Sequence, residues 1–303
     1  MPQQHSQAHN LYAQLIRVRA VLSELVSETS PYWTNLEIYS SLNAGQQYIA
    51  RKAKCLIKTV QVTTVASTQE YDLKDNSFSD IIDISKEGVY FNKNGTSNQK
   101  LFFTTKERLD SRNAGWRDVS ASVPQEYYYD KSSKTIGLYP KPNSSNAGAY
   151  LNIEGIYKPA ILHAGTADAA SLVTQLVLPA GSATLPYPSV VDDYYNNVWV
   201  EVYSGTSAGE KVKITDYTGA TRIALAAFTT APDNTSIYGM VPQIPEEAHY
   251  LMEWYALGDN WGKGGSRTSL GQFYWNKFLN GLSLFIGEFE DDEDETLQKE
   301  PYR

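Results

Sequence analysis

Hydrophobic positions near the start of the chain recur with the period of an amphipathic helix. A first set is spaced alternately four and three residues apart, which places it on one face of a helix that ends at residues 29–31. A second helix is predicted to begin at Thr34, because Glu37 three residues later completes a capping box. The two segments together predict a helical hairpin. Its apolar faces are formed by Leu11, Leu15, Val18, Leu22 and Leu25, and by Ile38, Leu42, Ile49, Ala53 and Leu56.

From residue 59 the pattern changes to short runs of β-branched and aromatic residues, separated by Gly, Asn, Asp, Ser and Pro. Such runs are typical of strands joined by turns. We expect about six to eight strands, paired antiparallel, over residues 59–159. The TTKERLD run at residues 104–110 is predicted to form one helical turn.

An Ala/Gly/Ser-rich stretch after Pro159 leads into a second β-rich block, which ends near Pro242. Strict alternation within this block places Val198, Val200 and Val202 on one face of a strand. We predict a separate small β-module here, inserted into the chain over residues 163–242.

Helical patterning returns after residue 242. Pro245 suits the first turn of a helix, and Glu246 and Glu247 follow it at the positive end of the helix dipole. A GKGGSR loop at residues 262–267 separates this helix from a last one. The predicted apolar faces are Tyr250, Trp254, Leu257 and Trp261 in the first of these helices, and Trp275, Phe278, Leu282, Phe285 and Phe289 in the second.

The helical pairs at the two ends of the chain each have an apolar face to bury, and packing them together buries both. The predicted fold class is therefore α+β. In this fold the N- and C-terminal helices form one bundle, which carries an antiparallel β domain and a second, inserted small β domain. The expected boundaries are 1–58 with 243–290 for the bundle, 59–162 and 163–242 for the β domains, and 291–303 for an acidic C-terminal tail.

The formal net charge of −8 is concentrated in one place. Residues 288–295 read EFEDDEDE, with seven acids in eight positions, whereas the rest of the chain holds 27 acidic and 26 basic residues. Such a run is solvated and is often an interaction tail. The run can be interpreted as a tail for solubility alone, or as a segment that docks onto a basic surface of a partner or lines a channel. An apolar residue within it is not needed in a solubility tail, which favours docking. The candidate docking residues are Glu288, Phe289, Glu290, Asp291, Asp292, Glu293, Asp294 and Glu295.

Composition narrows the class of protein further. The single cysteine, Cys55, cannot form an internal disulfide and is expected to be a small core residue. The N-terminus has no apolar signal segment, and no apolar run approaches the ~20 residues that cross a bilayer, so we expect synthesis in the cytoplasm and no membrane partner. No basic patch stands out, so binding to nucleic-acid phosphates is not the main role. The 22 tyrosines suit either strands or subunit interfaces.

A succession of short motifs runs through about 220 residues of the chain. Trp33 and residues 38–42 lead into LNAGQQYIARKA, and YDLKD, KERLD, GWRD, PQEYYYD, IGLYPKP and YKP follow in order. The C-terminal IPEEAHYLMEWYALGDNW and the amphipathic helix after it fit the same scheme. This order resembles the head-to-tail connector proteins of tailed phages, also called adaptor or head completion proteins, in which a helical bundle carries a β domain.

A second resemblance covers residues 192–238. DDYYN, SGT-x-AG, ITDY-x-G-x-TR and a late PD-x-TS-x-Y occur there in order. This succession is similar to a β-module inserted in many phage structural proteins. Neither resemblance implies a catalytic residue, a cofactor or a metal.

The connector resemblance implies a structural virion protein at the head–tail junction. About twelve copies would form a ring beneath the portal, extend the DNA channel and dock the tail, through heterologous contacts between copies. The implied partners are the portal protein, a tail or nozzle protein, other copies of the chain and, through the inserted module, a tail fibre. DNA would be met only in transit, without sequence-specific binding.

Two other functions compete with this one. The aromatic β content also suits a tail fibre or baseplate protein that recognises host surface glycan, although fibres are usually rich in repeats and this chain ends in helices. A glycan depolymerase would need two carboxylates across a cleft, and no such pair is recognisable.

Histidines and adjacent acidic residues are the candidate metal or catalytic groups. His5 and His9 have helical ligand spacing, but they lie in a polar N-terminal segment. His249 is expected to be packed or solvated at a helix start. Asp192 and Asp193 are adjacent, which on a strand points them to opposite faces, so a turn is the favoured interpretation.

Two glycine-rich segments do not fit a phosphate-binding loop. SGTSAGEK, residues 204–211, is followed by Val212 and flanked by predicted strands, so we expect a hairpin loop. GKGGSR is expected to link two helices. Its Lys263 and Arg267 are candidates for facing the channel or the acidic groups of a partner.

Overall fold

The computed structural model describes residues 9–22, 32–74, 78, 80–93, 98–182, 185–263 and 268–297, without the side chains of residues 86, 87 and 288–297. The chain divides into two compact units. Unit 1 joins residues 1–55 to residues 159–303, and unit 2 comprises Leu56–Lys158.

The predicted α+β class, with helices at both ends of the chain, is confirmed. The described residues include a short helix in unit 2 and four longer helices in unit 1. They are α1 (Leu11–Leu22), α2 (Asn35–Ala53), α3 (Lys106–Arg112), α4 (His249–Lys263) and α5 (Thr268–Leu297).

The described residues of unit 2 form eight strands in two sheets, ordered β1-β8-β3-β4 and β2-β7-β6-β5. The strands are β1 (Ile57–Thr63), β2 (Glu70–Asp72), β3 (Ile81–Asn92), β4 (Asn98–Lys100), β5 (Phe102–Phe103), β6 (Glu126–Asp130), β7 (Thr135–Tyr139) and β8 (Tyr150–Tyr157). One hydrophobic cluster takes side chains from both sheets, among them Phe91, Tyr127 and Leu151. The expected antiparallel pairing holds for these strands except between β5 and β6, which run parallel. The helix α3 and the turn after it separate β5 from β6, so this pair does not need a hairpin turn.

In unit 1 the part of the chain that the structure describes forms seven strands in two further sheets, ordered β12-β11-β15-β9 and β10-β14-β13. The strands are β9 (Ala164–Thr166), β10 (Gln175–Val177), β11 (Trp199–Ser204), β12 (Lys211–Lys213), β13 (Asp216–Thr218), β14 (Ile223–Leu225) and β15 (Ile237–Met240). The predicted alternation is confirmed, because Val198, Val200 and Val202 are buried while Trp199 is exposed.

The N-terminal helical pair forms as its spacing predicts. The α1 positions Leu11, Leu15, Val18 and Leu22 are all buried, and Leu25 lies outside the described residues. Thr34 caps α2 in a full capping box, in which Glu37 N–H donates to Thr34 Oγ1 at 3.2 Å and Thr34 N–H donates to Glu37 Oε2 at 2.8 Å.

The two terminal helical pairs pack against each other, as their apolar faces predict. Gln14 Nε2 donates to the carbonyl of His249 at 3.3 Å, and the Arg17 guanidinium lies 2.7 Å from the Glu253 carboxylate. In the other pair, Ser41 Oγ donates to Asp259 Oδ2 at 2.6 Å. Chain ends more than 200 residues apart therefore meet in one bundle.

Small residues set the register between α4 and α5. A Cβ on Gly258 would lie 3.1 Å from the backbone N of Trp275, and one on Gly281 would lie 2.7 Å from Leu251. Residue numbers rise along α5 as they fall along α4, so the two helices are antiparallel. Because α5 has 30 residues and α4 has 15, the C-terminal end of α5 continues past the start of α4 at His249.

The predicted aromatic face of α4 is only partly correct. Leu257 and Trp261 are buried, but Tyr250 is 41% exposed and Trp254 is half-buried beneath the ammonium of Lys277, 4.2 Å from its ring centroid. Leu251, Met252 and Ala256 are fully buried, so Tyr250 and Trp254 lie at the edge of the buried face of α4. Pro245 precedes a 3₁₀ turn, Glu246–Ala248, rather than lying in the first turn of α4.

Candidate functional site

The acidic run lies on the part of α5 that has passed the start of α4. The helix continues to Leu297, so the acids of residues 288–295 occupy its C-terminal turns, and no basic residue lies in the last turn. A helix C-terminus carries partial negative charge, and like charges four residues apart repel each other. The isolated helix end is therefore electrostatically unfavourable, and a positively charged partner surface would stabilise it.

Lys263 lies at the end of α4, next to the linking loop. Its ammonium donates to Asp259 Oδ2 at 2.7 Å, on the same carboxylate that accepts from Ser41. The Lys263 side chain is 54% exposed, so it remains accessible to a partner. Arg267, the second candidate in this loop, lies outside the described residues.

A cleft that no sequence pattern predicts lies along α2. It has a volume of about 330 Å³ and is lined on one side by Leu36, Tyr39, Ser40, Asn43, Ala44 and Gln47 of α2, and on the other by Ile161, Pro186 and Tyr187. We call it the α2 cleft. The volume is at the lower limit of small-molecule pockets, and none of the described residues that line the cleft is charged. Its lining mixes apolar residues with Ser40, Asn43 and Gln47, so it suits uncharged side chains.

Buried amides fix the wall of the α2 cleft to the helix. Asn43 donates to the Leu162 carbonyl at 3.1 Å and accepts from the Leu162 N–H at 2.7 Å. Gln46 donates to the Ala160 carbonyl at 3.1 Å and accepts from the Gln243 N–H at 2.8 Å. These paired bonds hold residues 160–162 against α2, with Ile161 between them at the rim of the cleft.

His163 anchors the second wall of the cleft. The Pro186 carbonyl can only accept, so His163 Nε2 donates to it at 3.0 Å, and His163 Nδ1 accepts from the Tyr238 hydroxyl at 2.9 Å. Burial lowers the pKa of His163 to about 4, which keeps the ring neutral and in this tautomer. The loop that carries Pro186 and Tyr187 is therefore held in place.

The same loop exposes several apolar side chains that sequence reasoning missed. Tyr187 is 70% exposed and Val190 is 83% exposed. Next to them, the Ser189 N–H donates to Tyr195 Oη at 3.2 Å and the Ser189 carbonyl accepts from Tyr217 Oη at 2.6 Å, so the loop is ordered despite its exposure. The run LPYPSVV, apolar yet interrupted by two prolines, is the signal that could have shown it.

The histidines have packing roles where they are described. His249 is buried, its Nε2 lies 2.9 Å from the Ile244 carbonyl, and burial lowers its pKa to about 4. His9 Nε2 lies 3.5 Å from Glu246, and its ring contacts that of His249 edge to face. His5 lies outside the described residues. In the part of the chain that the structure describes, no three His, Cys, Asp or Glu side chains are grouped to hold a metal ion.

The acidic pair at Asp192 lies in a turn, as interpreted from sequence. Asp192 Oδ1 accepts from the Gly219 N–H at 2.8 Å, and Asp193 adopts a φ of 63° and accepts from the Asn196 amide at 2.8 Å. The glycine-rich segment at residues 204–211 joins the antiparallel strands β11 and β12, so the predicted hairpin loop is confirmed.

Cys55 differs from the expected core residue. The helix α2 ends at Ala53, Lys54 takes a left-handed conformation, and Cys55 follows it with intermediate exposure. It lies on the segment that leaves the helix, where it is only partly covered. Partial burial raises the pKa of the Cys55 thiol to about 11.

The α+β chain has terminal helices packed in one bundle, an acidic helix end and a cleft lined by uncharged side chains, and these are surfaces that suit contacts between proteins, as in a structural adaptor. A model of the SU10 adaptor protein family matches residues 11–231, nearly three quarters of the chain, and the chain belongs to this family. A comparison with curated proteins finds no match.

Family membership makes the chain a phage adaptor, a structural component of the virion at the head–tail junction. Its partners are accordingly proteins of that junction, such as portal and tail proteins. Among the described helices, none has the length and apolarity that crossing a bilayer would require.

Proposed function

We propose that the chain is the subunit of a ring of about twelve copies, which lies beneath the portal, extends the DNA channel and docks the tail. It acts by binding other proteins rather than by catalysis. The observation that carries the proposal is the acidic end of α5, which continues past α4 and carries seven acids on a helix C-terminus.

The acidic run, Glu288–Glu295, is proposed to dock onto a basic surface of the portal. Support comes from electrostatics, because cations at a helix C-terminus offset both the helix dipole and the repulsion among the acids. Lys263 and Arg267 in the loop between α4 and α5 are proposed to face the channel or acidic groups of a partner.

The proposed domain organisation assigns separate roles to separate parts. Residues 1–58 with 243–290 form the bundle that builds the ring, residues 59–162 form the first β domain, and residues 291–303 form the acidic end. Residues 163–242 form an inserted β-module that contacts a further partner, such as a tail fibre. The seven-stranded arrangement and the exposed loop at Tyr187 support a binding role for this segment.

The portal-docking proposal is tested by deleting residues 288–303. The truncated subunit is expected to fold, with unchanged circular dichroism of the remaining bundle, and to lose co-sedimentation with the purified portal. A matched control deletes residues 296–303 only and keeps all seven acids, so it should still bind. A second variant keeps the length and replaces the seven acids by Asn and Gln, and it should bind as poorly as the deletion.

Portal binding that survives both the deletion and the neutralised variant would contradict acidic docking. The alternative role, host-glycan recognition in a tail fibre or baseplate, predicts a different oligomer. A stable trimer that ignores the portal would favour it over the ring.

A further inference from the structure

Strand β1 lies at one edge of a four-stranded sheet of unit 2, and among the described residues its outer side has no neighbouring strand. At its two ends, Tyr157 N–H donates to the Leu56 carbonyl at 3.0 Å and Thr64 N–H donates to the Ala149 carbonyl at 2.8 Å. Hydrogen bonding alternates along an antiparallel pair, so the even-numbered residues of β1 face β8. The odd-numbered residues turn their backbone N–H and C=O groups outward, at Ile57, Thr59, Gln61 and Thr63.

The outward backbone groups of β1 are available to a further strand. None of the hydrogen bonds recorded between described residues uses them, and all four residues are exposed. The next outward group, the Val65 N–H, already donates to Tyr71 Oη at 3.1 Å, so the open edge ends at Thr63. A row of unpaired donors and acceptors on an edge strand is a template for the addition of another strand.

The open edge lacks the features that usually prevent such pairing. Charged side chains, prolines and bulges are the common protections of an edge strand. From Thr59 to Val65 the chain carries no charge, no proline and no glycine. The single charged residue of β1, Lys58, lies near its start and is held by Asp80, with Nζ 2.6 Å from Oδ1. The edge is therefore open to pairing along its length.

The sequence of β1 reads nearly the same in both directions from Gln61. The matched positions are Val60 with Val62, Thr59 with Thr63, and Ile57 with Val65. Two antiparallel copies related by a two-fold axis at Gln61 place each residue opposite the one equally far on the other side of it. Valine then faces valine and threonine faces threonine, and β-branched pairs of this kind stabilise a sheet. The edge is thus complementary to a second copy of itself.

A pairing centred on Gln61 also satisfies the outward backbone groups. Thr59, Gln61 and Thr63 would each exchange both bonds with a residue of the other copy, which gives about six hydrogen bonds between the chains. Val60 and Val62, partly buried against the hydrophobic cluster of unit 2, would be covered by the same valines of the other copy. A pairing centred on Val60 would instead set the ammonium-bearing side chain of Lys58 beside Val62.

We propose that the β1 strands of two copies of the chain pair antiparallel about Gln61, so that two four-stranded sheets join across a two-fold axis. The contact is isologous, so it is separate from the heterologous contacts that close the proposed ring. About five residues of each chain take part, against the roughly 20–30 on each side of a stable interface, so the pairing is reversible and belongs to the free chain at high concentration. It covers an edge that would otherwise pair with other extended segments.

Sedimentation velocity of the free chain over a range of concentrations tests the pairing. The parent should sediment faster as its concentration rises, towards the value of a dimer. Gln61→Pro removes an outward N–H and leaves the bonds to β8 in place, and proline is tolerated at such a position of an edge strand. This variant should fold and stay monomeric. Gln61→Thr keeps the N–H and supplies a β-branched side chain, so it should pair like the parent.

Single cysteines locate the centre of the pairing, in a chain whose native thiol is removed by Cys55→Ser. Gln61 faces its own copy across the axis, so Gln61→Cys should form a disulfide-linked dimer under mild oxidation. Thr59→Cys is the matched control, because the two copies of this position lie about 14 Å apart along the strands. It should remain monomeric on a denaturing gel. Adding Thr63→Cys to it should produce the dimer, because residues 59 and 63 face each other.

Hydrogen exchange gives a readout that needs no substitution. At high concentration the amides of Thr59, Gln61 and Thr63 should exchange more slowly than in dilute solution, because they become bonded to the other copy. The amides of the even-numbered residues of β1 are already bonded to β8 and should change little. This alternation distinguishes strand pairing from a general loss of exposure.

The outcomes separate the pairing from the proposed ring. A parent that stays monomeric at every concentration, or a Thr59→Cys chain that links as readily as Gln61→Cys, overturns the inference. Growth beyond two chains also overturns it, because it indicates open-ended pairing of edges. These experiments use the chain without the portal, so their failure leaves the ring standing, and a failure to form rings on the portal leaves the pairing standing.

Discussion

At the scale of single residues, His163 makes the folding of unit 1 sensitive to pH. In the unfolded chain its imidazole binds a proton below its usual pKa of 6.5, whereas in the fold burial holds the pKa at about 4. The unfolded state therefore binds more protons between these values, and stability falls as pH drops from 6.5 to 4. The loss from this residue should be up to about 3 kcal/mol.

Urea denaturation at pH 7 and pH 4.5 checks this expectation. His163→Gln keeps a donor and an acceptor but does not titrate, so its stability should vary less with pH than that of the parent. His249 shifts in the same direction through burial and is retained in both proteins. Equal pH dependence in the two proteins would contradict the role assigned to His163.

The buried guanidinium of Arg19 is a second residue on which the fold depends. Its Nε donates to Asn35 Oδ1 at 2.6 Å and Nη2 donates to the Trp33 carbonyl at 2.7 Å, which ties α1 to the start of α2. Arg19→Ala leaves these acceptors unpaired and should destabilise the protein by about 3 kcal/mol. Arg17→Ala, which disrupts a more exposed pair with Glu253, should cost about 1 kcal/mol or less in the same thermal or urea measurement.

The roles of these buried polar residues could not be predicted from the sequence. Periodicity located Leu11, Leu15 and Val18 because an apolar face is a local property of a helix. The roles of Arg19, Asn43 and His163 depend on partners that the fold brings together, up to 119 residues away for Asn43. No local pattern distinguishes such a residue from an exposed polar one.

At the scale of elements, the capping box at the start of α2 is the feature that the sequence identified most sharply. Thr34→Ala removes the acceptor for the Glu37 N–H and should cost about 1 kcal/mol, since the helix end then loses a capping bond. Thr34→Ser keeps the hydroxyl and should stay near the parent. Chemical denaturation of the three proteins measures the difference, and an Ala variant as stable as the Ser variant would contradict the capping role.

The acidic end of α5 allows a test that separates helix stability from docking. Replacing its seven acids by Asn and Gln relieves repulsion at a helix C-terminus, so the helical signal in circular dichroism should rise slightly or stay constant. Portal binding should nevertheless fall. A loss of helix in this variant would instead show that the acids stabilise the helix itself.

Helices and strands that bury one face were predicted well from the sequence. Strand pairing and side-chain exposure that depend on tertiary packing were predicted less well. The terminal helices and the valine alternation of β11 follow from period alone. The parallel β5–β6 pair depends on how the chain returns across α3, and the exposure of Tyr250 depends on where α5 lies against α4. Neither the pairing nor the exposure can be predicted from the local sequence pattern.

At the scale of the whole molecule, closure of the terminal helices into one bundle was predictable, because two apolar hairpins must be buried. The α2 cleft was not, since its walls come from residues 36–47, 161 and 186–187, which no motif connects. The acidic run was visible in the sequence as a charge pattern, whereas its place on a helix that continues past α4 required the structure.

Native mass spectrometry of the purified portal with an excess of this chain is the decisive experiment for the proposed ring. Each portal ring should gain a fixed complement of about twelve chains, with no stable smaller oligomer of the chain alone. A portal that gains no mass, or a chain that forms a trimer by itself and ignores the portal, would contradict it.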